Sequence, residues 1–249
     1  MYSRLLESAS NAHSKAWCGL FASKFLLRLP REMRDIIYGY LIGPTPHVVK
    51  IVPPHQDLHN PDWMPHAPPT REYGPFHVSN GGADVPHFLN KRYIGQQFAT
   101  EISQEFYRCV VFQVEDSSSL DHFLVRDIFN TGVIPKHHLH RLELILSVPK
   151  IEDAGGCIPE LERGVTKAQC LEAVKPLSTL LTVKHKHEFD LRIIVKCYEE
   201  ASAAKFQEAM LPVVHRLKVA GFQVRADHLS PFEGIRPSSF QFNFDLPLD

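Results

Sequence analysis

His55 and His59, with Asp57 between them, are the residues of this chain whose type and spacing most suggest chemistry. Two imidazoles four apart on a helix would converge on one ion, as zinc ligands do. Prolines at 53, 54 and 61 leave room for barely one helical turn there, so a hydrated loop is expected and no metal is assigned. His185 and His187 are spaced to share a strand face, and His137, His138 and His140 cluster before another strand. Neither group has a Cys or acidic partner at ligand spacing, which points to solvent-exposed imidazoles.

Nucleophilic chemistry needs a Ser or Cys held beside a base, and the chain has neither a G-x-S-x-G elbow nor a C-x-x-C pair. Cys109 and Cys197 lie in apolar, strand-like runs and read as inert buried thiols. Gly81-Gly82 and Gly155-Gly156 lack both the Lys-Ser/Thr of a phosphate loop and a dinucleotide fingerprint, so they read as turns and no cofactor is expected. Glu199 and Glu200 open a helix, whose positive end accounts for them without catalysis. Lys184-His185-Lys186-His187 and the Arg216 to Lys218 segment are basic, but no aromatic-basic module accompanies them, so no nucleic-acid partner is expected. No catalytic residue is assigned.

Composition narrows the class further. Lys and Arg total 27 against 28 Asp and Glu, so no net field draws the whole molecule to nucleic acid or to an acidic membrane. Five widely spaced cysteines suit reduced thiols in a cytoplasmic or nuclear setting better than a disulfide framework. The first 27 residues mix charges with short apolar stretches, unlike a signal peptide, though their serines and mostly basic charge leave a mitochondrial presequence as the lesser alternative; no run is long enough to span a bilayer, so no membrane partner is expected.

The elements that would position any site follow from periodicity. Residues 4–22 are compatible with a short helix. A second begins at Leu29-Pro30, where proline's preset φ suits the first turn, and stops at Gly43-Pro44. Met33, Ile36, Ile37, Tyr40 and Leu41 form its apolar stripe and are expected to face the core, with Arg31, Glu32, Arg34 and Asp35 in solvent. Residues 44–90 are rich in Pro and His and read as an extended insertion with one strand at 48–52. Ile94, Phe98, Ile102 and Phe106 recur every four residues on a helical face that leads into a β-type run over 109–114. Ser118 and Asp121 suggest a capping box for a helix over 119–129, ended by Asn130-Thr131-Gly132. A strand over 141–148, a helix over 167–181 interrupted near Pro176, a strand over 189–197, a helix over 199–219 bent at Pro212 and a strand over 222–225 complete the pattern. Strand, helix and strand succeed one another three times from residue 109, which predicts a mainly parallel sheet joined by right-handed crossovers.

Phe25-Leu26-Leu27-Arg28-Leu29-Pro30-Arg31-Glu32-Met33-Arg34-Asp35-Ile36-Ile37-Tyr38 resembles the opening of fungal F-box-like, EXR-type proteins, and 92–112 resembles their following signature through Gln96-Gln97, Glu101, Glu105, Phe106, Tyr107 and Phe112. The resemblance implies that 1–43 is a short N-terminal F-box-like helical segment; with the Pro/His-rich insertion over 44–91, which departs from the family's pattern, and the α/β domain over 92–249 read from periodicity, one packed unit is expected. The resemblance further implies a protein-interaction function, in which Leu29, Pro30, Arg31, Glu32, Arg34 and Tyr38 meet an adaptor of a cullin-type ubiquitin ligase while the rest of the chain captures a client. A ligase-independent regulatory or scaffold protein, and a metal-dependent enzyme using the His-rich insertion, are the alternatives.

Overall fold

No proline interrupts residues 2–28, and they run as one helix, α1 (Tyr2–Arg28), roughly 40 Å long. The segment expected as a short helix over 4–22 is therefore extended at both ends. The computed structural model describes residues 2–43, 48–52, 77–79, 89–147, 165–197, 200–229, 242 and 244. After a two-residue turn, α2 (Arg31–Ile42) follows Pro30, whose φ of −63° leads into the first turn. Gly43 ends it at φ 95°, its N–H donating to the Gly39 carbonyl.

A six-stranded sheet is the frame, built from β1 (Val48–Val52), β2 (His77–Ser79), β3 (Val111–Val114), β4 (Arg141–Ser147), β5 (Asp190–Lys196) and β6 (Gln223–Leu229) in the order β2-β1-β3-β4-β5-β6. Five strands are parallel, and only the edge strand β2 runs antiparallel to its neighbour. The strand that the sequence locates in the Pro- and His-rich stretch, β1, is thus an interior strand paired with β3 at Val48↔Val111. The rest of the expected insertion, with His55 and His59, lies outside the described residues.

Helices connect these strands: α3 (Lys91–Ile94) and α4 (Gln96–Cys109) before β3, α5 (Leu120–Val125) before β4, α6 (Lys167–Val174) before β5 and α7 (Glu200–Val219) before β6. Parallel neighbours in sequential order, each joined by a right-handed crossover, send all their connections to one side of a sheet. Burial has that polarity. One row across the five parallel strands, Ile51, Val114, Leu144, Ile193 and Ala226, is wholly buried. The next row, Lys50, Gln113, Glu143, Arg192 and Arg225, is polar throughout. On the buried side, Phe112 meets Phe106 and Tyr107 of α4 and Phe123 of α5 at centroid distances of 5.9, 5.1 and 5.5 Å. Each such side chain contributes about 1.5–3 kcal/mol through burial.

Local chemistry shifts several boundaries. α5 is shorter than the expected 119–129 helix, and Asp116, not Ser118, caps the turn before it by accepting from the Ser118 N–H. Leu120, Phe123, Leu124 and Ile128 nevertheless all face inward as their spacing predicts. Asp127 then accepts the Thr131 and Gly132 N–H groups at 3.1 and 2.6 Å and closes the Asn130-Thr131-Gly132 turn. The 167–181 helix divides into α6, opened by a Thr166–Gln169 capping box, and a 3₁₀ stretch (Lys175–Thr182), since Pro176 supplies no N–H for a continuing α-ladder. α7 runs through Pro212 and closes with the two reverse hydrogen bonds of a Schellman turn, Phe222 N–H to Leu217 and Gly221 N–H to Lys218.

Gly221 stands at φ 103°, and a Cβ there would collide with the His187 ring. Gly221→Ala is expected to lower unfolding stability by about 1–3 kcal/mol, read as a fall in urea midpoint at unchanged m-value.

Candidate functional site

The two stretches that carry the family resemblance meet in space. Arg34 of α2 presents its guanidinium side-on to Glu101 of α4, with Nε–H donating to Oε2 at 2.8 Å and Nη2–H to Oε1 at 3.0 Å. The same guanidinium donates from Nη1 to the Leu29 carbonyl at 2.6 Å and the Leu26 carbonyl at 3.3 Å, partnering oxygens left open where α1 ends. Tyr38 Oη donates to Glu101 Oε2 at 3.1 Å, and Gln97 Nε2 donates to Oε1 at 3.2 Å. Arg31 donates to Asp35 at 2.7 Å, the pair expected from their i,i+4 spacing, and reaches Gln104 at 3.0 Å. Behind this network Phe25, Tyr38 and Phe98 form a ring triangle with centroids 5.2–5.6 Å apart.

Electrostatics follows from this packing. Burial alone would raise the Glu101 carboxyl, but hydrogen bonds from Arg34, Gln97 and Tyr38 and the charge of Arg31 outweigh it and hold the group below its ordinary value. The hydrogen bond to Glu101 raises Arg34, against its own burial. Burial, then the Glu101 charge, pushes the Tyr38 phenol up, so the hydroxyl stays a donor.

This arrangement corrects the expected polarity of α2. Tyr38 is wholly buried and the Arg34 side chain is 11% exposed, so both are turned toward the interior and not toward solvent. Leu29 and Arg31 are half-buried, and Pro30 and Glu32 are exposed. Conversely Met33, Ile36, Tyr40 and Leu41, expected in the core, are exposed, and only Ile37 of that stripe is half-buried. The reason is pairing: Glu101 and the helix-end carbonyls satisfy Arg34 inside, and once that side chain points inward the 3.6-residue period turns Met33, Ile36 and Tyr40 outward.

The outward side is therefore apolar. Of thirteen large apolar side chains exposed among the described residues, eight lie on α1 and α2, with Trp17, Leu20, Phe21 and Leu27 on α1. Trp17 and Phe21 stack at 6.1 Å. Contiguous exposed apolar surface on a folded protein marks interaction sites.

Other groups are less suited to function. Along the polar side of the sheet Arg192 bridges Glu143 at 3.1 Å and Asp227 at 2.7 Å, and Arg225 reaches Asp190 at 2.7 Å, so the shallow depression of about 320 Å³ there is lined by charges that neutralise one another. Burial, with help from the Glu105 carboxylate, pushes the Cys109 thiol up to about 12, which leaves it protonated and a poor nucleophile, and Cys197 is a buried cysteine. The two histidine groups, expected in solvent, come together: His140 stacks on His185 at 5.0 Å and meets Glu188 at 3.4 Å, with His138 and His140 half-buried. Burial and neighbouring His137, His185, Lys184 and Arg108 lower His138 to about 4. No group of three or more His, Cys, Asp or Glu side chains among the described residues could hold a metal ion. No helix among them is long and apolar enough to cross a membrane.

Sequence reasoning named Arg34, Tyr38 and Glu101 but not their pairing, because the partners are more than sixty residues apart. Lys24 and Arg28, which interrupt the α1 stripe, received no role from the sequence; aligning the charges along that helix face would have placed them on one line. No protein-family model, curated protein or solved structure matches the chain.

Two consequences are measurable. Glu101→Ala leaves a part-buried guanidinium without its carboxylate and is expected to cost about 1–3 kcal/mol in urea unfolding. Because the folded carboxyl titrates below its unfolded value, the pair's contribution is fully present above that unfolded value and is lost as pH falls through the folded one, a loss that Glu101→Gln abolishes. His138 has the depressed value of a neutral, half-buried imidazole, so stability is expected to fall as pH drops from about 6.5 toward 4; urea midpoints of His138→Gln should vary less across that window.

Proposed function

We propose that the chain is a protein-interaction protein whose N-terminal helices dock another polypeptide. The observation that carries this reading is the concentration of exposed apolar side chains on α1 and α2, Trp17, Leu27, Ile36 and Tyr40 among them, while charged residues of α2 turn inward. Burying such residues against a partner is the favourable term in association.

The narrower form of the proposal is a substrate-recruiting, F-box-like adaptor of a cullin-type ubiquitin ligase, and it draws on the resemblance over 25–42 and 92–112. On α2 the docking set becomes Pro30, Glu32, Met33, Ile36, Tyr40 and Leu41, in place of a set that includes the inward Arg34 and Tyr38. That inward turn favours a second reading, a ligase-independent regulatory or scaffold protein, because two residues of the adaptor-facing expectation serve the fold instead.

Recovery of the full chain from its native cells tests both. Partners should be lost on Trp17→Ser with Leu27→Ser, or on Ile36→Ser with Tyr40→Ser, at unchanged thermal unfolding. Ligase adaptor among the lost partners selects the narrower form, and its absence selects the scaffold. Wild-type partner recovery by both folded variants would sink the docking reading.

A further inference from the structure

On α1 the exposed side is both apolar and basic. Trp17, Leu20, Phe21 and Leu27 share it with Lys24 and Arg28, which fall on the line of Trp17 at i+7 and i+11. The helix as a whole carries Arg4, Lys15, Lys24 and Arg28 against the single acidic Glu7, in a chain whose net charge is −1. Arg92, exposed on the neighbouring α3, adds to this local excess.

Among the described side chains of α1, those from residue 8 onward, tertiary support is confined to the second half of the helix. Every residue from 8 to 17 is exposed; burial begins beyond Cys18 and Gly19, with Ala22 and Phe25 in the core. A helical stretch of about that length with nothing packed on it is marginal in water, so a covering partner would supply stability that the rest of the fold does not.

We propose, resting on the docking reading above, that the partner seated on α1 is an acidic amphipathic helix of another polypeptide, with apolar residues against Trp17, Leu20, Phe21 and Leu27 and carboxylates opposite Lys24 and Arg28. Charge position selects this occupant over an anionic lipid surface. A helix lying on a membrane keeps its cations on the polar side, flanking an unbroken apolar face. Here Lys24 and Arg28 interrupt the apolar face itself, where hydrocarbon would strand them and a protein carboxylate would pair with them. An amphipathic partner helix presents residues every three to four positions, the same spacing as the stripe.

The test uses the full chain with Trp63→Phe, so that Trp17 is the sole indole reporter. One probe is a synthetic helical peptide with Leu at heptad positions a and d and Glu at e and g; its mate carries Lys in place of every Glu. The third is vesicles of mixed phosphatidylserine and phosphatidylcholine. Trp17 emission should shift to the blue with the Glu peptide and bind the Lys peptide at least about tenfold more weakly. Lys24→Glu with Arg28→Glu should reverse that preference without changing the circular dichroism of the fold. Equal binding of both peptides, no binding of the Glu peptide, or a preference untouched by charge reversal overturns the proposal. So does tighter binding to the vesicles, or an emission shift driven by the protein's own concentration, which would assign the stripe to a second copy. If the acidic peptide fails while Trp17→Ser with Leu27→Ser still abolishes partner recovery from cells, docking stands and only the partner chemistry falls.

Discussion

The Arg34–Glu101 pair is the contact on which the N-terminal half depends. Removing two charges from water is unfavourable unless both are paired and their remaining hydrogen-bonding capacity is used. Here Glu101 receives Arg34, Tyr38 and Gln97, and Arg34 also satisfies the carbonyls of Leu26 and Leu29. One guanidinium therefore joins the end of α1, the body of α2 and the middle of α4. The pair determines which way α2 is rolled, and so which of its residues reach solvent.

That roll fixes which side chains of α2 are buried and which are exposed. The most motif-like residues of α2 are consumed in holding the helices together, while an apolar stripe is left outside. A structure that leaves Tyr40 82% exposed and Leu27 86% exposed carries an aggregation liability unless something covers them. The proposed docking role and the proposed acidic partner both start from that liability. They differ in what they draw on: the first needs only apolar surface, the second the placement of Lys24 and Arg28 within it.

The sheet presents a different compromise. Sequential strand order sends all helical connections to one side, where the aromatic and aliphatic rows are buried. Parallel sheets are ordinarily covered on both faces. The polar face of this one instead carries Lys50–Glu115, Gln113–Glu143–Arg192–Asp227 and Asp190–Arg225 contacts, which let a row of strand residues stay hydrated. These surface pairs each add little to stability, about 0–1 kcal/mol. Their value is in keeping that face from acting as an apolar patch.

Alternation and helical period were enough to read β4 and β5, the inward residues of α4 and α5, and the parallel class of the sheet, because strand and helix periodicities are properties of the chain itself. The starts of α2 and the end of α7 were equally legible, since Pro30 and Gly221 act on their own backbone. The sequence pattern failed at α2, where it sent Met33, Ile36 and Tyr40 inward and Arg34 outward. No local rule can know that Glu101 waits sixty-seven residues along the chain to neutralise Arg34. It failed likewise for the histidines, whose two groups are separated in sequence and meet only when the β4 and β5 entry loops are brought side by side. Residue types by themselves determined the elements and their class; only tertiary packing decided which charges were paired, because pairing energy depends on distance in space, and with it which face of the N-terminal helices was left exposed.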